Sequence, residues 1–160
     1  MLPDWIIMSV VISLRDVLEA LEMARDEAKD YLDPDTGEII TVTDDDRNWI
    51  EEGGSDDDLP GWQREMMPRI RAALENDRLL PLPDRFDVHD WAIMERFARE
   101  HRKERVRQEL LAAINGSGAF RKFRGAVERL GILDTWYVFH NLVLEEIARD
   151  WLEEHHLKYK

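Results

Sequence analysis

The stretch Asn115-Gly116-Ser117-Gly118, followed by Arg121, Lys122 and Arg124, holds the residue types an anion site needs. Glycines let a ligand approach the backbone closely. A helix starting just after them aims unbonded N–H groups at a phosphate or carboxylate. Arg and Lys add charge-assisted hydrogen bonds. The candidate anion-binding residues are therefore Gly116, Ser117, Gly118, Arg121, Lys122 and Arg124. Their order matches neither a Walker loop nor a dinucleotide fingerprint. The plainer reading is a tight helix–helix turn whose cations pair with acids elsewhere in the chain. Phe120 and Phe123 offer faces on which bases stack. Their shared helical period with Val127 and Leu130 assigns both to the core instead.

Other chemistry finds less support. The five histidines are His89, His101, His140, His155 and His156. None has the HExxH spacing of a zinc enzyme. His155-His156 closes a helix, where the dipole favours the residue type, and His140 flanks an apolar stripe. The Asp triplets at 44–46 and 56–58 lack the order of a calcium loop and read as solvated acids. There is no Cys, which excludes disulfides, thiolate metal sites and cysteine nucleophiles. No nucleophile elbow is present. The sequence thus nominates no catalytic residue, no metal ligand and no cofactor, and leans away from an enzyme.

Charge is unevenly placed. The chain of 160 residues carries a formal net charge of −13, which argues against a uniformly basic surface for nucleic acid or anionic lipid. Residues 16–58 hold 17 acids against Arg25, Lys29 and Arg47, a local balance of −14. Residues 101–131 hold eight Lys and Arg against Glu104, Glu109 and Glu128, a local balance of +5. The longest apolar run, Trp5 to Ile12, is far shorter than the roughly 20 residues a membrane span needs. It has no basic flank, so it is a poor signal peptide. The expected location is the cytoplasm, with no membrane. Met8 is a candidate initiator, which would make residues 1–7 an extension.

The elements that must position these groups follow from spacing. Ser13 and Asp16 approximate a capping box for a helix with Leu14, Val17, Leu18, Leu21 and Ala28 on one face. Asp33 to Gly37 is turn chemistry between strands at about 29–33 and 38–43, a β-hairpin. Val10–Ile12 offers a third strand. Residues 44–60 read as an acidic loop with at most one short helical turn. Trp62, Met66, Ile70 and Leu74 predict a helix, with Pro68 forcing a kink or a later start. Leu79 to Pro83 is extended. Helices follow from Asp87 as N-cap, over 103–114, over 119–130, and from Asp134 to about Glu154. Trp62, Trp91, Trp136 and Trp151 fall on apolar faces and read as core.

Leu18-Glu19-Ala20-Leu21-Glu22-Met23, Leu80-Pro81-Leu82-Pro83 and Gly118-Ala119-Phe120-Arg121-Lys122-Phe123 together resemble segments of the uncharacterised protein family 0158, small acidic bacterial proteins. The resemblance runs from about Val10 along most of the chain. It rests on Leu18-Glu19-Ala20-Leu21-Glu22-Met23, Tyr31-Leu32 with Thr36-Gly37-Glu38-Ile39, and Leu80-Pro81-Leu82-Pro83 with Phe86-Asp87. Its most specific part is Gly118-Ala119-Phe120-Arg121-Lys122-Phe123, continued by Trp136-Tyr137, Phe139, Ile147-Ala148 and Trp151-Leu152. The resemblance implies a bacterial cytoplasmic protein and no particular activity. Residues 1–7 fall outside it, in keeping with a start at Met8.

The expected fold is α+β and mostly α, a single domain over residues 8–160. An N-terminal helix and hairpin would pack on a C-terminal bundle of four to five helices. The expected role is a non-enzymatic interaction or regulatory protein with a protein partner. The alternative is nucleic-acid or phosphate-ligand binding through residues 101–131. Two lesser readings are nucleic-acid mimicry by the acidic lobe and an enzyme acting on a phosphorylated small molecule.

Overall fold

Turn chemistry at Asp33–Gly37 closes the hairpin that organises the first part of the chain. In the computed structural model, which describes residues 10–160, Asp33 donates its N–H to Glu38 O at 2.8 Å. Gly37 returns its own N–H to Asp33 O at 2.8 Å, with φ at +79°, a value glycine adopts without steric cost. Strands β1 (Ala28–Leu32) and β2 (Ile39–Thr43) pair antiparallel, with Tyr31 opposite Ile40 and Leu32 opposite Ile39. The candidate start Met8 and the residues before it lie outside the described residues.

The described chain forms two compact units. One holds the chain up to Arg85 together with Ala148–Lys160, and the other holds Phe86–Ile147. Each is built around its own apolar cluster.

In the first unit, α1 (Leu14–Glu22) starts at Ser13, whose Oγ accepts the Asp16 N–H at 3.1 Å. This satisfies one of the donors a helix start leaves unbonded. Val17 and Leu21 are buried. The helix stops at Met23, so Ala28 belongs to β1 and not to the helical face. The third strand is not Val10–Ile12. It is β3 (Leu80–Pro81), which pairs antiparallel with β1 and gives the sheet order β2-β1-β3. Pro81 has no N–H to donate, and an edge strand tolerates that loss. Ile12 instead forms a parallel bridge with Tyr159, donating to Lys158 O at 2.8 Å and accepting from Lys160 N–H at 3.0 Å.

The acidic stretch read as a loop contains an eight-residue helix, α2 (Asp44–Glu51). Thr43 explains it. Its Oγ1 accepts the Asp46 N–H at 3.1 Å while the Asp46 carboxylate accepts the Thr43 N–H at 3.0 Å, a complete capping box. Asp44, Asp45 and Asp46 then lie in the first turn, where negative charge complements the helix dipole. A 3-10 turn follows at Asp56–Asp58. Helix α3 (Gly61–Glu75) is continuous through Pro68. It buries Met67, Ile70 and Ala73 beneath Tyr31, Ile40, Val42 and Leu79. Trp62, placed in the core by spacing, is 72% exposed. The sequence of α3 carries two overlapping apolar stripes, and the sheet covers the other one.

A short turn, α4 (Arg85–Val88), contains Asp87. The N-cap of α5 (Asp90–Glu100) is therefore His89, held in the left-handed region at φ 57°. The helices α6 (Glu104–Ala113) and α7 (Ala119–Arg129) follow, then α8 (Leu133–Glu154). In the second unit Phe97 and Phe123 pack edge-on against Trp136, with ring centres 5.3 and 4.8 Å away. Met94, Val106, Leu110, Ile114 and Val127 complete that core. Trp91 is half-buried and donates its indole N–H to Ile114 O at 3.0 Å. The fold class is α+β, mostly α.

Candidate functional site

The glycine turn joins α6 to α7. Gly116 and Gly118 have φ of +77° and +74°. Gly118 serves as the N-cap of α7 and supplies no side-chain acceptor. The Lys122 N–H donates to Gly118 O at 3.0 Å, which closes the first helical turn. Ser117 and both glycines are exposed.

The six candidate residues do not act alike. Arg121 Nη2 and Lys122 Cε each lie 4.0 Å from where a Cβ on Gly118 would stand, so both side chains lean over the turn. Lys122 Nζ is spent within it, donating to Asn115 O at 3.1 Å. Arg124 turns away to Glu128, with Nε 3.3 Å from Oε1. Arg121 makes no side-chain hydrogen bond or ion pair with the described residues. The turn thus gathers Gly116, Ser117, Gly118, Arg121 and Lys122, and leaves Arg124 tied along its own helix.

The remaining cations of this segment are mostly local supports. Glu109 receives both Arg105 at 3.3 Å and Arg129 at 3.5 Å. Arg107 donates to the carbonyls of His101 and Arg102 at 2.7 and 3.0 Å. The acidic lobe draws its partners from its own unit: Arg69 on Glu38, Arg71 on Asp56, Arg78 on Asp35 and Arg85 on Asp26, at 2.5, 2.6, 3.0 and 3.7 Å. Arg69, Arg71, Arg78 and Arg85 lie outside residues 16–58, so later elements of the same unit offset part of the acidic stretch, which a charge count cannot show. The Arg96 guanidinium, exposed on α5, has its pKa raised by hydrogen bonds to Glu100 and then Glu146.

Phe120 corrects the sequence reading. Phe123 is buried as its period predicts, but Phe120 is 57% exposed beside Arg121. One turn of helix separates them, and only Phe123 faces Phe97 and Trp136. A second exposed apolar group was not singled out from the sequence. Tyr137, Val138 and Leu142 on α8 are 42%, 61% and 60% exposed. The available signal was the density of apolar residues from Trp136 to Leu144, seven of nine, more than one buried stripe requires. His140 Nε2 lies 3.0 Å from Asp90 Oδ1. His155 packs its ring on Trp151 at 4.6 Å, and His156 takes a left-handed conformation at φ 56°. Among the described residues no group of His, Asp and Glu is arranged to hold a metal ion, and no helix is long and apolar enough to cross a membrane.

Comparison with known proteins agrees with the resemblance read from the sequence. No solved structure matches the chain. The UPF0158 protein PA5073 of Pseudomonas aeruginosa is 30% identical over 94 residues, 57% of this chain. The match spans 61% of that relative's length. The model of an uncharacterised protein family, UPF0158, matches residues 8–160, so the chain belongs to that family.

Proposed function

We propose that the chain is a non-enzymatic interaction protein of the bacterial cytoplasm that engages a protein partner through α8. The observation carrying this reading is the exposed set Tyr137, Val138 and Leu142. Val138 and Leu142 are four residues apart, so they stand one above the other on the helix. Exposed apolar groups gathered on one face are a feature of interaction sites, and aromatic residues are enriched among the anchors. The test is a pull-down from bacterial lysate with the wild type and with Val138→Glu/Leu142→Glu. A partner captured by the wild type and lost from the folded variant supports the reading. No reproducible partner, or one retained by the variant, counts against it.

A second reading is favoured by Phe120 and Arg121, exposed together at the start of α7. An aromatic face beside an unpaired guanidinium suits a base and its phosphate. Binding of mixed oligonucleotides would then weaken steeply with salt. Arg121→Ala with Arg124→Ala would abolish it. Absent or salt-independent binding at low ionic strength rejects this reading.

A further inference from the structure

The first unit contains a cleft of about 510 Å³ between α1 and the open face of the hairpin. This is within the roughly 300–1,000 Å³ of small-molecule sites. Its apolar lining comes from Ala20, Met23, Ala28 and Ile39. Met23 is largely exposed where a ligand could cover it.

The charges in the cleft divide into those already engaged and those left over. Glu19 is paired with Arg15 at 3.1 Å and Glu38 with Arg69 at 2.5 Å. Asp30 accepts the Thr41 hydroxyl at 2.5 Å. Asp16 and Arg25 line the same cleft, yet neither side chain has a hydrogen bond or ion pair with a described residue. Opposite charges that share a concavity without meeting can each be satisfied by a ligand that carries both signs. An ammonium group would meet Asp16, a carboxylate would meet the planar fork of Arg25, and an apolar side chain would cover Ala20, Met23 and Ile39.

We infer that this cleft binds a small zwitterion with an apolar body, of the α-amino-acid class. The full chain is titrated with L-leucine and followed by amide chemical shifts. Two controls each lack one charge: isopentylamine has only the amine, and 4-methylpentanoate only the acid. Leucine should bind with a Kd of about 1 mM or below, shifting residues of α1 and the hairpin, and each control should bind at least about 10-fold more weakly. Asp16→Asn and Arg25→Gln should each weaken leucine about 10-fold. Thr41→Trp puts a good strand former on an exposed strand position, fills the cleft and should abolish binding. Three results overturn the inference: no saturable shifts up to about 10 mM leucine, equal binding of the amine alone, or unchanged binding by folded Thr41→Trp. Equal binding by the amine would mean that the carboxylates attract any cation.

Discussion

His140, in the first half of α8, places Nε2 3.0 Å from Oδ1 of Asp90, the first residue of α5. The pair lies 50 residues apart in sequence. It is partly buried, and Trp136 packs on the imidazole with ring centres 5.3 Å apart. His140→Ala should cost about 1 kcal/mol, the usual worth of such a bond. Asp90→Ala should cost more, since Asp90 makes further contacts and supplies negative charge to the first turn of α5. Urea unfolding of both single variants and the double variant checks this. Strict additivity would show that the bond contributes nothing.

Gly54 and Gly125 should respond oppositely to alanine. A Cβ on Gly54 would fall onto the indole of Trp49, against Cε2, Cδ2 and Cζ2. Gly54→Ala should therefore destabilise by about 1–3 kcal/mol through overpacking. Gly125 lies inside α7 with nothing near a new Cβ. Gly125→Ala should stabilise by about 0.5–1 kcal/mol through helix propensity alone. Thermal unfolding of the two variants separates the effects by sign.

Phe120 and Phe123 differ by three residues and by their surroundings. Phe123→Ala should cost about 3–5 kcal/mol, because it empties the contact with Phe97 and Trp136. Phe120→Ala should stay within about 0.5 kcal/mol of wild type, as exposed substitutions do. Equal losses in chemical denaturation would contradict the placement of Phe120 at the surface.

The acidic helix α2 depends on Thr43. Thr43→Ala removes the acceptor for the Asp46 N–H and should cost about 1 kcal/mol. Thr43→Ser keeps the oxygen and should recover most of that loss. If Thr43→Ser falls as far as Thr43→Ala, the capping box is not what holds the helix start.

Much of the fold is legible without coordinates. Asp33–Gly37 specifies the hairpin turn, and β-branched Ile39 to Thr43 specify the strand after it. Ser13 marks its helix start, and the glycines at 116, 118 and 131 divide the C-terminal helices. Each signal acts over a few residues, where one side chain bonds to a nearby backbone group or sets one φ. The candidate anion residues were also legible as a type, since glycine, serine and arginine adjoin in sequence.

Which cations stay available was not legible, because it depends on partners. Lys122 folds onto Asn115 O, Arg124 onto Glu128, and Arg121 onto neither. Spacing alone also misassigned Trp62 and Phe120. A helical period states which residues share a face, but the element packed opposite decides which face is buried. The third strand illustrates the same limit: β3 reaches β1 across almost 50 residues, beyond any local pattern. The sequence by itself determined the local elements and the division of charge into −14 and +5 segments. Only the tertiary structure decided which apolar faces and which charges remain open, because burial and ion pairing are set by groups distant along the chain.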